Sequence, residues 1–232
     1  MELHVEKWNF SQWTIQARRP KGEGPHPVLL LLHGWTGDET SMWAFTSRLP
    51  KDHLLLAPRG LYPAPFGGYG WHPPRQGGWA GVKDFLPAVD ALADLLFTPL
   101  DLSSSVDQRS LLENADLTTV SLLGFSQGAA LAFTFALTYP EHVRMLGGLA
   151  GFLPEGAEEL SASQPLTGIP TFLAHGTRDE LVPVQRARQA VEVLQQAGAQ
   201  VQYCEDDVGH KLSTNCFKAL QAFFTQQPGC SG

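Results

Sequence analysis

Apolar residues occur along the chain in two patterns, as short continuous runs and as longer stretches in which they recur every three or four positions. A continuous run is typical of a strand buried on both faces of a parallel sheet, whereas the longer spacing predicts a helix with one buried face. The two patterns alternate from residue 28 to residue 224. This alternation predicts an α/β fold, in which helices lie on both faces of a mostly parallel central sheet.

The short segments predict six strands, and the periodic stretches predict four helices. An antiparallel pair of strands is expected before them, at residues 3–8 and 13–18, because both segments alternate apolar and polar positions. The stretch 99–114 is ambiguous and reads as a serine-rich turn followed by a short helix. The run 28–33 predicts a strand buried on both faces, further strands are predicted at 54–57, 120–125, 145–150, 171–175 and 200–204, and the predicted helices are 82–97, 127–137, 184–196 and 212–224.

Composition narrows the classes of protein that the chain could belong to. Its 232 residues fit one domain, 1–232, and contain no repeat or linker-like break. Acidic residues outnumber basic ones by 23 to 16, which disfavours nucleic acid or an anionic membrane surface as the main partner. The first residues resemble no secretory signal, and the longest apolar run, 28–32, is too short to span a bilayer.

Cysteine usage adds an expectation about the cellular compartment. Cys204, Cys216 and Cys230 form no metal-like pair, and an odd number cannot all be paired within one chain. We expect reduced thiols in a cytoplasmic protein that inserts into no membrane.

One long loop is predicted at residues 58–81, with seven glycines, five prolines and several aromatic side chains. Loops of this length in compact domains are usually functional or disordered, and the aromatic residues favour an ordered loop. Two interpretations stay open. Trp71 and its neighbours could form a wall of a binding site, or Trp71 and Trp79 could cover a helix beneath them.

The clearest chemical signal is the sequence Gly-Phe-Ser-Gln-Gly at 124–128, between a predicted strand and a predicted helix. A sharp turn at Ser126 would expose its hydroxyl group at the edge of the sheet, and glycine at Gly124 and Gly128 avoids a collision there. The N-terminus of the following helix directs backbone N–H groups toward a developing oxyanion. Ser126 is therefore the predicted nucleophile.

Two further residues follow the serine in the order acid, then histidine. Asp179 comes after the predicted strand 171–175, and parallel strands bring their carboxyl ends to the same edge of a sheet. His210 follows the last predicted strand and is the only histidine after Asp179. We expect His210 to act as general base and Asp179 to orient it. Other carboxylates that could take the place of Asp179 are Glu180, Asp206 and Asp207.

A glycine-containing loop at 33–38 follows the first buried strand. An oxyanion hole needs two backbone N–H groups, and Gln127, directly after the nucleophile, would supply one of them. The loop is the expected source of the other, with Trp35 as the candidate. A plain glycine-rich turn is the alternative interpretation of this loop.

The chain resembles the carboxylesterase and acyl-protein-thioesterase branch of the α/β hydrolases from about residue 28 to its end. The resemblance rests on LHGWTGDE, APRG followed by a GYGW-like loop, GFSQGAA, and HGTRDELVP with a late GH. Ala129 departs from the pattern, since members of the family often have a second glycine there. The resemblance implies the α/β-hydrolase fold, the triad and oxyanion residues named above, and a reaction that uses neither a metal nor another cofactor.

The expected reaction is hydrolysis of a small-molecule carboxylic ester or thioester through an acyl-enzyme on Ser126. Residues 151–170 leave no room for the helical cap that many lipases insert at this point. We therefore expect an open apolar groove for small or linear acyl groups, with substrate contacts from Trp71, Phe152 and Leu153. A peptidase of the same fold and a non-catalytic binding protein of hydrolase ancestry are the alternatives.

Overall fold

An eight-stranded sheet forms the centre of the computed structural model, which describes residues 5–100 and 104–225. A separate two-stranded hairpin lies within the long loop predicted at 58–81. The strands of the large sheet are β1 (Val5–Phe10), β2 (Trp13–Arg18), β3 (His26–Leu32), β4 (Leu54–Pro58), β7 (Ala115–Phe125), β8 (Val143–Leu149), β9 (Pro170–Gly176) and β10 (Gln200–Asp206), and the hairpin strands are β5 (Tyr62–Pro63) and β6 (Tyr69–Gly70).

The order of the strands across the large sheet is β1-β2-β4-β3-β7-β8-β9-β10. The two N-terminal strands pair antiparallel with each other, and β2 also pairs antiparallel with β4. All remaining neighbours, from β4 to β10, are parallel. The carboxyl ends of six consecutive strands, β4, β3 and β7 to β10, therefore meet at one edge, where connecting loops can assemble a site.

Helices cover both faces of the sheet, so the continuous apolar strands are buried on both sides. In β3, Leu30 and Leu32 belong to one hydrophobic core, and Leu29 and Leu31 belong to the other. The helices are α1 (Val82–Phe97), α2 (Val106–Leu111), α3 (Gln127–Thr138), α4 (Ala157–Ser161), α5 (Val184–Gln196) and α6 (Thr214–Thr225). The first core is shared with α1, α3 and α5, and the second with α6 and a 3₁₀ helix at Ser41–Arg48.

The predicted elements are confirmed, with shifted ends. Strand β7 begins at Ala115 rather than at residue 120 because Ala115 and Asp116 pair with the start of β3 across a bulge. A short helix, α2, occupies part of the ambiguous stretch, where Ser105 caps its first turn by accepting from the Gln108 amide. Residues 3 and 4 of the first predicted strand lie outside the described residues.

The described part of the chain contains no large cap domain, as the sequence predicts. Between β8 and β9 the only helix is α4, which has five residues. Within residues 5–100 and 104–225, no helix has both the length and the apolar character needed to cross a bilayer. The predicted α/β architecture, with a mostly parallel sheet between two helical layers, is confirmed.

The cysteines require a correction. Cys204 on β10 and Cys216 on α6 form a disulfide, with their Cα atoms 5.7 Å apart, so the expectation that all three thiols are reduced is wrong. Both residues border the second core, where α6 packs against the end of the sheet. The argument for a cytoplasmic location that rested on reduced thiols loses its support, because such bonds persist mainly in oxidising compartments.

Candidate active site

Ser126 lies at the sharp turn between β7 and α3, in a backbone conformation that L residues rarely adopt, with φ 53° and ψ −117°. Its amide donates to the carbonyl of Leu149 on the next strand, at 2.8 Å, which holds the turn against β8. A Cβ atom at Gly128 would lie 2.0 Å from the carbonyl oxygen of Leu32. The predicted requirement for glycine beside the nucleophile therefore reflects direct backbone contact.

Asp179 and His210 meet at the edge of the sheet where β9 and β10 end. The Asp179 carboxylate is buried, and its Oδ2 atom lies 2.7 Å from Nδ1 of His210. Its Oδ1 atom accepts hydrogen bonds from the amides of Leu181 and Val182, both at 2.9 Å. Because a carboxylate only accepts, the neutral ring of His210 carries its hydrogen on Nδ1, and Nε2 is the nitrogen that can take a proton.

The three alternative acids occupy other positions. Glu180 is exposed. Asp206 accepts hydrogen bonds from the Asp207 amide and the Asn215 side chain. Asp207 pairs with Arg178 at the surface, at 2.6 Å. Asp179 is therefore the carboxylate that the structure brings to His210.

A buried histidine, His175, also contacts the Asp179 carboxylate. Nε2 of His175 lies 2.8 Å from the carbonyl oxygen of Val182 and 3.3 Å from Oδ2 of Asp179. Burial lowers the pKa of His175, so its ring is neutral and uses Nε2–H as a donor. This residue joins the loop 179–182 to the end of β9 and thereby restrains the acid.

His33 is fully buried and anchors the predicted oxyanion loop (residues 33–38). Nδ1 of His33 lies 2.7 Å from the Gly34 carbonyl oxygen, and Nε2 accepts from the Gly60 amide at 2.8 Å. Burial lowers the pKa of His33, in agreement with a neutral ring that donates from Nδ1. A trans peptide directs its C=O and N–H in opposite directions, so the N–H of Trp35 points away from His33.

Ser126, His210, Trp35 and Gln127 all line one cavity of about 580 Å³. Among the described residues, no backbone oxygen accepts from the amide of Trp35 or of Gln127. The two residues expected to supply the oxyanion donors therefore line the same cavity as Ser126 and His210. This combination of groups is the one that acyl transfer requires.

The walls of the cavity are largely apolar and only partly match the prediction. Phe152 lines the cavity and packs edge-to-face against Trp79, with ring centroids 4.7 Å apart. Sequence reasoning missed several wall residues because side-chain direction in a loop follows no period. The loop 58–81, for which a wall was one of the two interpretations, contributes His72, Arg75 and Trp79, whereas Leu181 and Val182 were not predicted.

Trp71 and Leu153, both expected to contact substrate, lie outside this cavity. Trp71 is fully buried, and its indole N–H donates to the His33 carbonyl at 2.8 Å, beneath the oxyanion loop. Leu153 is buried in the first hydrophobic core. We therefore correct the predicted substrate contacts to exclude both residues. Each interpretation of the aromatic loop (residues 58–81) therefore holds for one tryptophan. Trp79 lines the cavity, whereas Trp71 covers the hydrophobic core.

Within the part of the chain that the structure describes, no three His, Cys, Asp or Glu side chains converge in a way that could hold a metal ion.

The chain is similar to known proteins both in sequence and in fold. A family model described as phospholipase/carboxylesterase matches residues 15–227. Acyl-protein thioesterase 1 of Eremothecium gossypii is 26% identical over 164 residues, which is 67% of this chain and 67% of that protein. Acyl-protein thioesterase 1 of Kluyveromyces lactis is 28% identical over 176 residues, which is 71% of this chain and 75% of that protein.

Among solved structures, the fold is similar to that of a carboxylesterase from Bacillus cereus, with a TM-score of 0.77. The match covers 91% of this chain and 93% of that chain, at 20% sequence identity. At this identity the likeness shows the α/β-hydrolase fold alone.

Proposed function

The chain belongs to the phospholipase/carboxylesterase family of α/β hydrolases, and we propose that Ser126 is its nucleophile. It is a hydrolase of the carboxylesterase and thioesterase type. The proposed reaction is hydrolysis of carboxylic esters or thioesters of small or linear acyl groups through a covalent acyl-enzyme. The observation that carries the proposal is the contact of 2.7 Å between Asp179 and His210 beside the cavity that also contains Ser126.

In the first half of the reaction, Nε2 of His210 takes the proton of the Ser126 hydroxyl while Oγ forms a bond to the acyl carbon. The electron pair of the carbonyl moves to its oxygen, which the amides of Trp35 and Gln127 bind. When this intermediate collapses, the bond to the alcohol or thiol breaks. His210 then gives its proton to the leaving group.

In the second half, a water molecule takes the place of the alcohol or thiol. His210 removes a proton from this water while the water oxygen attacks the carbonyl carbon of the acyl group on Ser126. The same two amides bind the second oxyanion. Collapse releases the carboxylic acid, and Ser126 recovers its proton from His210. Asp179 stays ionised throughout and stabilises the imidazolium that forms twice in each cycle.

The shape of the cavity supports acyl groups that are small or linear. The wall contains two apolar residues of the loop after β9, Leu181 and Val182, together with Phe152 and Trp79. Leu181 is largely exposed, which places an apolar side chain at the opening of the cavity. An aliphatic chain can extend along such a wall and gain free energy for each methylene group removed from water.

The test is turnover of p-nitrophenyl esters of increasing acyl length, an acyl thioester and a peptide by the wild type and by Ser126→Ala. We expect the wild type to hydrolyse esters or thioesters and Ser126→Ala to lose turnover while keeping its thermal midpoint. A fluorophosphonate should label Ser126, as located by mass spectrometry of the digest. The matched control is Ser163→Ala, which changes an exposed serine outside the cavity.

Three results would overturn the proposal. Equal turnover by the wild type and Ser126→Ala would show that this serine is not the nucleophile. Labelling of a different residue would move the reaction elsewhere. Cleavage of the peptide in preference to every ester would favour the peptidase alternative.

A further inference from the structure

Residues 69–72 of the aromatic loop lie directly against the loop that contains Trp35. The Tyr69 amide donates to the carbonyl of Gly37 at 2.8 Å. A Cβ atom at Gly70 would lie 2.2 Å from the indole ring of Trp35, so this backbone can pass the ring only as glycine. The segment is therefore built to pack against one of the two proposed oxyanion residues.

The other proposed oxyanion residue, Gln127, is contacted by the same segment through its side chain. Oε1 of Gln127 accepts from the amide of Trp71 at 2.9 Å, and its Nε2 lies 2.9 Å from Nε2 of His72. The Trp71 amide can only donate, so Oε1 must face it and the NH₂ group must face His72. Both ends of the buried Gln127 side chain are thus held by consecutive residues of the loop.

The hydrogen bonds also define the state of His72. Its Nδ1 atom lies 2.7 Å from the carbonyl oxygen of Pro73, which only accepts, so Nδ1 carries the hydrogen. Nε2 then carries a lone pair and accepts a hydrogen bond from the NH₂ group of Gln127. A ring protonated on both nitrogens would oppose one donor to another at this contact, and the bond to Gln127 would be lost.

His72 contacts Trp35 as well. The two rings are stacked, with centroids 5.8 Å apart and planes inclined by 21°. Phe85 of α1 also packs edge-on against the imidazole, with centroids 5.1 Å apart. A single side chain therefore touches both residues whose backbone amides would bind the oxyanion, and it rests on the hydrophobic core.

We propose that His72 is a positioning residue, which fixes Trp35 and Gln127 relative to each other as one pair of oxyanion donors. The inference rests on the proposed function, because the role of the two amides is part of that function. Donors of an oxyanion hole act only when their positions are fixed before charge develops. Loss of the bond from Gln127 to His72 should therefore weaken binding of the transition state more than binding of the substrate.

Three substitutions separate the contacts of His72. His72→Phe keeps a ring for stacking but has no acceptor for Gln127. His72→Gln and His72→Asn both lose the ring, but only glutamine is long enough to present a carbonyl oxygen near the position of Nε2. Gln127→Met removes the amide group while keeping the backbone N–H, and His72→Phe with Gln127→Met completes a double-mutant cycle.

The readouts are kcat and KM for p-nitrophenyl acetate, the affinity of an alkyl boronic acid that forms a tetrahedral adduct on serine, and the thermal midpoint. We expect His72→Phe to lower kcat by roughly 10- to 100-fold, less than removal of a whole donor, with KM changed less than about threefold. Boronate affinity should fall by a similar factor. His72→Gln should retain more activity than His72→Asn. The variant with both His72→Phe and Gln127→Met should have a kcat no lower than that of the less active of the two single variants.

The proposal is overturned if His72→Phe keeps the wild-type kcat. It is also overturned if His72→Gln and His72→Asn are equally active, or if the effects of the two single substitutions multiply in the double variant. The comparison of glutamine with asparagine remains decisive if His72→Phe fails to fold. Failure of the proposed function looks different, since the wild type itself would then hydrolyse no ester and bind no boronate.

Discussion

Oδ2 of Asp179 lies 2.7 Å from Nδ1 of His210, while Oδ1 of the same carboxylate accepts the amides of Leu181 and Val182. The two amides fix which oxygen faces the imidazole. The carboxylate therefore has a single orientation available, and it holds His210 in the tautomer with Nε2 free. Asp179 therefore orients the imidazole of His210 in addition to placing a negative charge beside it.

The first prediction concerns Asp179→Asn. The amides of Leu181 and Val182 would keep the asparagine oxygen, so its NH₂ group would face His210 and would move the ring hydrogen to Nε2. This is the wrong tautomer for a base, and we expect kcat for an ester to fall by roughly 10⁴-fold with little change in KM. The control is Glu180→Gln, which alters an exposed neighbouring carboxylate and should change kcat less than about twofold. A larger effect from Glu180→Gln than from Asp179→Asn would contradict the assignment.

The sequence predicts those parts of the site that depend on the sheet itself. Ser126, Asp179 and His210 follow three parallel strands, which must present their carboxyl ends together. Their approximate meeting place is therefore a consequence of the apolar pattern. The glycines beside Ser126 are predictable for a similar reason, since close contact between a strand and the next helix excludes a Cβ atom.

The parts that depend on loop packing were not predictable. Composition located the aromatic loop but could not indicate that Trp71 turns toward His33 and Gln127 whereas Trp79 faces the cavity. These directions are set by partners tens of residues away along the chain. The bond between Cys204 and Cys216 belongs to the same category, because it depends on where α6 packs against β10.

The second prediction concerns the acyl-binding wall. Phe152→Ala removes a ring that lines the cavity and packs against Trp79. We expect kcat/KM for a p-nitrophenyl octanoate to fall roughly tenfold, because a long chain loses apolar contact, whereas the acetate should change by less than about threefold. The control is Phe66→Ala, since the Phe66 side chain is 95% exposed and lies outside the cavity. Equal losses for the acetate and the octanoate would show that Phe152 does not contact the acyl chain.

The third prediction concerns the disulfide, whose two cysteines enclose the segment that contains His210. Alkylation with iodoacetamide in denaturant should modify one cysteine, Cys230, before reduction and all three after reduction by a dithiol, as counted by mass spectrometry. Cys204→Ala with Cys216→Ala should lower the free energy of unfolding by about 3 kcal/mol, because the unfolded chain gains freedom. Cys230→Ala should leave it unchanged. Three modified cysteines without reduction would restore the expectation of free thiols.

A buried ion pair beside the oxyanion loop makes stability depend on pH. The Glu39 side chain is almost completely buried and accepts from Nε and Nη2 of Arg59, at 2.7 and 2.9 Å, and from Lys7 at 2.9 Å. The hydrogen bonds from Arg59 lower the pKa of Glu39 from its usual 4.5 to about 2. The folded protein therefore binds this proton less readily than the unfolded chain does.

The fourth prediction follows from the direction of this pKa shift. The contribution of ionised Glu39 is complete above pH 4.5, and it is lost as the pH falls from 4.5 toward 2, where the folded protein also binds the proton. A shift of this size corresponds to about 3 kcal/mol. Urea unfolding should find Glu39→Gln less stable than the wild type by up to this amount at pH 7, and the gap should narrow toward pH 2.5. Glu159→Gln, at an exposed position, should show little difference at either pH. A gap that stays constant between pH 7 and pH 2.5 would show that Glu39 stabilises the fold by its shape rather than by its charge.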